Sequence, residues 1–156
     1  MSCDAVAFAA TLWLASTAAV APPASTPALT TPPSVAGEPL FADIVRRAST
    51  LKSQTEAYEK APLDVSLESA NGFAGFETAV GELSALDMQG HVVLAQRGYG
   101  DDLKCILKGI SQDLPAKLKA LEAASDPGAR RHALEDMSYL LRDNVEVITS
   151  PPQPAA

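Results

Sequence analysis

The chain has 156 residues, a net charge of −7 and a hydrophobic content of 47 % with only 5 % aromatic residues. Asp4 is the only charged residue before Glu38, so the acidic charge lies almost entirely in the rest of the chain. This charge argues against nucleic-acid binding and against electrostatic binding to anionic membranes. An apolar content made mainly of Ala, Leu and Val is typical of packed helices and does not suggest a disulfide scaffold or a β-sandwich.

Residues 1–21 are predicted to form a signal peptide. The run from Ala5 to Ala21 is uncharged and apolar, and small residues permit cleavage after Ala18 or Ala21, although no Lys or Arg precedes the run. A retained membrane anchor is the alternative, since 17 residues are marginal for spanning about 30 Å of hydrocarbon. We therefore expect a secreted or periplasmic protein, without a membrane span if the leader is cleaved.

Two proline-rich segments flank the remaining domain. Residues 22–38 are rich in Pro, Ser and Thr, which favours an extended, semi-rigid linker. Residues 150–156 contain three further prolines and are predicted to be a disordered tail.

Residues 39–149 are predicted to form one all-α domain, a four- or five-helix up-and-down bundle. Apolar residues recur at spacings of three and four nearly throughout, with Pro39 starting the first helix and Pro62 ending it. The second helix is expected over about 65–86. A short third helix is expected from an Asp87 N-cap to a Gly98 C-cap.

Two longer helices complete the predicted bundle. Asp101 is expected to cap the first of them, and Pro115 is expected to kink or split it, because proline lacks a backbone donor and clashes with the preceding turn. Ser125 or Asp126 is predicted to cap the last helix, with Pro127 in its first turn. Cys105 is expected to be an inert buried thiol, with an intermolecular bridge or a reactive thiol as alternatives.

The sequence carries no recognisable catalytic or metal-binding motif. Met88 with His91, and His132 with Glu135, each share a helix face but supply only half a metal site. The chain lacks a haem-attachment motif, a nucleophile elbow and a zincin motif. We therefore predict a non-enzymatic protein without a metal site or cofactor.

The apolar core is consequently the candidate binding site. Gly and Pro near the expected kinks could leave a gap between helices, and such a gap would accept an acyl chain. A fully packed core is the alternative interpretation. The predicted lining residues are Phe41, Tyr58, Phe73, Phe76, Ile110 and Leu114.

A second hypothesis concerns a protein partner. Residues 61–96 contain five acidic residues and no Lys or Arg. This stretch predicts either a solvated acidic helix or a face for a basic partner, as in an immunity-type or chaperone-like periplasmic interaction protein. The acidic residues are Asp64, Glu68, Glu77, Glu82 and Asp87.

Two segments resemble a known family. The pattern Ile-x-x-x-Ala-x-x-Leu-x-x-Gln-Thr-x-Ala-Tyr from Ile44 to Tyr58 is similar to the first helix of the fungal hydrophobic surface-binding and cell-wall galactomannoprotein family. The segment from Leu134 to Asn144 resembles the final helix of that family. The resemblance implies a secreted helical bundle that binds lipids or hydrophobic surfaces without catalysis.

Overall fold

The computed structural model describes residues 34–63, 67, 72–99 and 101–150. The predicted signal peptide, most of the predicted linker and residues 151–156 of the predicted tail lie outside these residues. The described part consists of four α-helices and contains no strand, so the predicted all-α bundle is confirmed. The helices are α1 (Pro39–Lys60), α2 (Phe73–Gln96), α3 (Asp101–Glu122) and α4 (Pro127–Thr149).

Local signals start and end three of these helices as expected. Pro39 occupies the first turn of α1, and Ala61 follows its last residue. Gly98 has a φ of 65° just beyond the end of α2, in the left-handed region that glycine tolerates. The Asp126 carboxylate accepts hydrogen bonds from the backbone N–H groups of Gly128 and Ala129, both at 2.9 Å, and so caps α4.

The helices form an up-and-down bundle with a single core. Each helix packs against the preceding and following one, and α4 also packs against α1, so α1 lies diagonally opposite α3 and α2 opposite α4. The core is almost entirely aliphatic and aromatic, with Phe41, Phe76, Leu94, Leu107 and Met137 among its fully buried residues. These faces bury one another because most of the stability of a helix in a protein comes from the packing of its apolar face.

The short third helix that the sequence predicts is not present as a separate element. Asp87 lies inside α2 and is fully buried, so it does not cap a helix start. The seven-residue pattern of buried positions continues through it without a break. The buried residues of α2 are Phe73, Phe76, Val80, Leu83, Asp87, Gly90 and Leu94.

The predicted split of α3 at Pro115 is wrong, because α3 is continuous and Pro115 lies inside it. A proline at this position leaves the carbonyl of Ser111 without its usual backbone donor. The hydroxyl of Ser84 on α2 donates to that carbonyl oxygen at 2.7 Å. A side chain from the neighbouring helix therefore supplies the hydrogen bond that the proline removes.

Cys105 on α3 is partly buried and is disulfide-bonded. The described residues include no free cysteine. Cys3, the only other cysteine of the sequence, lies outside the described residues. The expectation of an inert thiol at Cys105 is therefore wrong.

Candidate functional site

All six predicted lining residues belong to the single core or pack against it, and three of them are in direct ring contact. Tyr58, Phe73 and Phe76 come together where α1 ends and α2 begins. Phe41 lies 17 residues before Tyr58 on α1, about 25 Å along the helix axis. Ile110 and Leu114 are buried one turn apart on α3. The three aromatic residues at this end of the bundle are considered together below, and the role of all six in binding stays a prediction.

The aromatic cluster, defined as Tyr58, Phe73 and Phe76, joins α1 to α2. The Tyr58 ring meets the other two edge-on, with ring centroids 5.9 Å from Phe73 and 5.5 Å from Phe76. Phe73 and Phe76 stack at 5.9 Å. Both phenylalanines are buried, whereas Tyr58 is half-buried, and this burial raises the pKa of the Tyr58 hydroxyl. The cluster is an apolar platform with one polar edge near solvent.

The α1–α2 interface is the least extensive of the four between neighbouring helices. Two grooves lie on it, of about 170 Å³ and 330 Å³. The smaller groove, which we call the upper groove, adjoins the aromatic cluster, since Gly75 precedes Phe76 and Gln54 lies one turn before Tyr58. Its lining residues are Arg46, Arg47, Thr50, Leu51, Gln54, Gly75 and Ala79.

Arg47 lines both grooves and holds the two helices together electrostatically. It donates from Nε to Oδ2 of Asp43 at 2.9 Å and from Nη1 to Oε2 of Glu82 at 2.6 Å, the second bond crossing from α1 to α2. Hydrogen bonds from Arg46 and Arg47 lower the pKa of the Asp43 carboxyl. Because these groups are one-third exposed or more, the network stabilises the interface only modestly.

A closely packed region lies toward the other end of the bundle, at Gly90. A methyl group at this position would lie 3.1 Å from Cδ1 of Leu107 and 3.3 Å from Cε1 of Phe41. Ile44 Cδ1 would lie 3.4 Å away. Phe41 therefore packs against the backbone of α2, in a part of the core where a further side-chain atom requires its neighbours to shift.

The most polar feature of the core is a pair that the sequence analysis did not identify. Asn144 of α4 donates from Nδ2 to Oδ2 of Asp87 on α2 at 2.7 Å, and both residues are fully buried. Burial is the main cause that raises the pKa of Asp87 to about 7, while the bond from Asn144 acts in the opposite direction. The signal was present in the sequence, because Asp87 and Asn144 each occupy a core position of the repeating helical pattern.

The acidic surface that the sequence predicts for a basic partner is reduced in the structure. Asp87 belongs to the core, and Glu82 pairs with Arg47. Glu77 is partly buried on α2. Asp64 and Glu68 lie outside the described residues. The acidic face is therefore smaller on the described α2 than the charge pattern predicts.

A different surface presents an exposed aromatic residue. The side chain of Tyr139 on α4 is 58 % exposed, and the guanidinium of Arg142 lies 4.5 Å from its ring centroid. Beside them a groove of about 350 Å³ runs between α1 and α4. Its other lining residues are Lys52, Glu56, Glu59, Glu135 and Ser138.

The two histidines considered for metal binding lie in different surroundings. His91 Nδ1 lies 2.7 Å from the Lys104 carbonyl oxygen, which accepts a hydrogen bond from the protonated ring nitrogen. His132 and Glu135 are exposed. Among the described residues, no group of three or more His, Cys, Asp or Glu side chains is placed to hold a metal ion.

Comparison of the chain with family models, curated proteins and solved structures finds no match. The resemblance of the first and last helices to the fungal surface-binding family therefore stays a prediction. Within the described part of the chain, none of the helices combines the length and the apolar character that crossing a membrane requires.

Proposed function

We propose that this chain is an exported, non-catalytic binding protein that takes up an amphipathic lipid, such as a fatty acid, between α1 and α2. The observation that carries the proposal is the aromatic cluster beside the upper groove, at the least extensive helix interface. An apolar ligand entering there meets three aromatic rings, and the aliphatic core lies beyond them. Burial of its chain contributes about 0.8 kcal/mol per CH₂ group.

Uptake of a long chain requires α1 and α2 to separate. The upper groove of about 170 Å³ is smaller than the roughly 300 Å³ at which small-molecule sites begin. Separation breaks the Arg47–Glu82 ion pair, which costs little because Glu82 is largely exposed. Arg47 keeps its Nε bond to Asp43 within α1, but its Nη1 donor is freed from Glu82 and, next to the exposed Arg46, can bind a carboxylate headgroup.

The same opening accounts for binding to an extended hydrophobic surface. A bundle that parts between α1 and α2 exposes the apolar faces of both helices, which are covered while it is closed. Large exposed apolar side chains are few on the described surface, Val92 and Tyr139 being the clear cases. Adsorption to a surface therefore depends on opening and not on a preformed apolar patch.

The test is binding of a fluorescent C18 fatty acid to the purified protein. Gly75→Leu places a side chain in the upper groove, where a Cβ meets no atom within 4 Å, so the variant is expected to fold. We expect it to weaken binding at least tenfold. Gly81→Leu is the matched control, since Gly81 lies on the same helix, is exposed, meets no atom within 4 Å and does not line the groove.

Two results would contradict the proposal. One is an absence of fatty-acid binding to the wild-type protein. The other is equal binding by the Gly75→Leu and Gly81→Leu variants, which would remove the groove from the entry route. An unchanged helical circular dichroism spectrum establishes that both variants are folded.

Docking of a protein partner is the second candidate function, and the exposed Tyr139–Arg142 pair favours it. Tyr and Arg are enriched among the residues that contribute most to protein interfaces. Tyr139→Ala is expected to abolish co-purification of a specific partner, whereas Tyr99→Phe, distant in sequence on the α2–α3 connection, is expected to retain it. Equal recovery of the partner by wild type and Tyr139→Ala would contradict docking at this surface.

A further inference from the structure

The Asp87–Asn144 pair is fully buried in the core of the bundle. It links α2 to α4, which are diagonal and do not pack extensively against each other, so the hydrogen bond crosses the middle of the core. Core residues flank both members on their own helices: Leu83 and Gly90 on α2, and Leu141 and Ile148 on α4.

The pair has an incomplete set of hydrogen bonds if Asp87 is ionised. Asp87 Oδ1 and Asn144 Oδ1 are buried, and neither has a partner in the described structure. Both atoms are acceptors, so neither can satisfy the other while the carboxyl is a carboxylate. One proton on Asp87 converts its free oxygen into a donor. The acid and the amide can then form two reciprocal hydrogen bonds that satisfy both groups.

We propose that Asp87 is a pH-dependent switch of bundle opening: its neutral carboxyl pairs reciprocally with Asn144 and keeps the core closed, and its ionisation loosens the core. A carboxylate in this position is desolvated and has a single donor, which is an unfavourable state for a buried charge. Ionisation therefore favours conformations in which water reaches Asp87.

The charged groups on neighbouring turns do not replace the missing partner. Burial and the Asn144 bond are the causes of the raised pKa of Asp87, which lies at about 7, and no charged side chain is among them. Arg47 is engaged by Asp43 and Glu82, and His91 by the Lys104 carbonyl. The titratable residues on the turns around the pair are Asp43 and Arg47 of α1, Glu82 and His91 of α2, Lys104 and Lys108 of α3, and Asp143 and Glu146 of α4.

The direction in which this switch changes stability with pH follows from the pKa of Asp87. The folded-state pKa of Asp87 lies above its unfolded value, so the unfolded state loses its proton first as the pH rises. The contribution of Asp87 to stability is greatest below about pH 4, falls through the interval up to about pH 7, and levels off above it. A pKa of about 7, against the ordinary value of 3.8, corresponds to roughly a 1,000-fold change in the unfolding equilibrium constant.

The direct test is a titration of the wild-type protein, with the Asp87 carboxyl carbon followed by ¹³C NMR from pH 4 to pH 9. We expect Asp87 to titrate near pH 7. Asp87→Asn supplies an amide that can pair reciprocally with Asn144 at every pH. Between pH 4 and pH 7 the unfolding midpoint of this variant should therefore fall less than that of the wild type, because the contribution of Asp87 is absent. Asp113→Asn, which removes an exposed carboxyl of α3, should retain that fall.

Titration of Asp87 near pH 4 would overturn the switch, whether or not Asp87→Asn folds. A pH dependence that is identical in wild type and Asp87→Asn would overturn it as well. Hydrogen exchange of core amides measures opening directly, and at pH values above 7 it should be faster in wild type than in Asp87→Asn.

Control of ligand entry by this switch rests on the proposed function. A second experiment distinguishes failure of the switch from failure of the proposed function. The probe is a fluorescent C18 fatty-acid methyl ester, because the free acid titrates itself. Wild type should take it up faster at pH 8.5 than at pH 5.5, and Asp87→Asn equally at both. Titration near pH 7 without uptake at either pH would overturn the proposed function and support the switch. Uptake independent of pH would overturn only its control of entry.

Discussion

The hydroxyl of Ser84 donates to the carbonyl oxygen of Ser111 at 2.7 Å, four residues before Pro115. In a regular helix the N–H of residue 115 would occupy that carbonyl, and proline has none. Two turns farther along α2, His91 donates from Nδ1 to the carbonyl oxygen of Lys104, also at 2.7 Å. Two side chains seven residues apart on α2 therefore bind two carbonyls seven residues apart on α3.

Ser84→Ala is expected to destabilise the protein by about 1–2 kcal/mol, because it leaves the largely buried Ser111 carbonyl without a donor. Urea denaturation measures the loss. Ser53→Ala is the control, since Ser53 is exposed and bonds only a carbonyl of its own helix, that of Ser49. Its effect should stay within about 0.5 kcal/mol.

Introducing Ser84→Ala into a protein that also carries Pro115→Ala shows whether Ser84 stabilises the protein by compensating for the proline. Alanine at position 115 restores a backbone donor to the Ser111 carbonyl, so Ser84→Ala should then cost less than in the wild type. An unchanged cost in the double-mutant cycle would mean that Ser84 stabilises α3 by some other route.

Gly90→Ala is expected to destabilise the protein by about 1–3 kcal/mol, although alanine favours helix more than glycine does. The added methyl group would lie 3.1 Å from Leu107 Cδ1 and 3.3 Å from Phe41 Cε1, inside a packed core. Gly81→Ala, on the same helix with nothing within 4 Å of the new atom, should instead stabilise by about 0.5–1 kcal/mol. Thermal unfolding of both variants gives the comparison, and stabilisation by both would contradict the packing described at Gly90.

Asp126→Ala is expected to lower stability by about 0.5–2 kcal/mol, because the carboxylate satisfies two otherwise unpaired N–H groups at the start of α4. Asp113→Ala, an exposed carboxylate inside α3, is the matched control and should change stability little. Chemical denaturation of the two variants would contradict the cap if the losses were equal.

Local rules predicted the ends of α1 and α4 because their signals act within one turn. Pro39 before an apolar repeat, and Asp126 followed by Pro127, leave few alternatives for the backbone. The same rules failed at Asp87, since aspartate is both a good N-cap and, rarely, a buried residue. The continuous repeat of apolar positions on either side of Asp87 was the better signal.

The remaining differences depend on contacts between helices that one sequence does not reveal. Pro115 predicts a break, and only the position of Ser84 on the adjacent helix shows why none occurs. In the candidate site, the sequence identified the aromatic residues but not which of them meet. Tyr58 and Phe76 are neighbours because α1 and α2 are antiparallel, whereas Phe41 is at the far end of the same helix.

Asn144→Leu is expected to destabilise the protein more at pH 8 than at pH 5. At pH 5 Asp87 is neutral in the folded state, and loss of its partner leaves a neutral polar group unpaired, at a cost of about 1–3 kcal/mol. At pH 8 the wild-type carboxyl is largely ionised, and removal of Asn144 takes away its only protein donor. In the variant the carboxyl either stays charged without that donor or takes up a proton, and proton uptake limits the additional cost at pH 8 to about 1 kcal/mol.

The control for this pH dependence is Thr55→Val. Thr55 is fully buried and donates to the Leu51 carbonyl at 2.9 Å, so the variant removes a buried hydrogen bond that does not titrate. Its cost should be the same at pH 5 and pH 8 in urea denaturation. Because the Asn144 bond opposes the effect of burial, Asn144→Leu should also raise the pKa of Asp87 above its wild-type value of about 7. An equal cost of Asn144→Leu at both pH values would show that Asp87 does not change its charge between them while the bundle is folded.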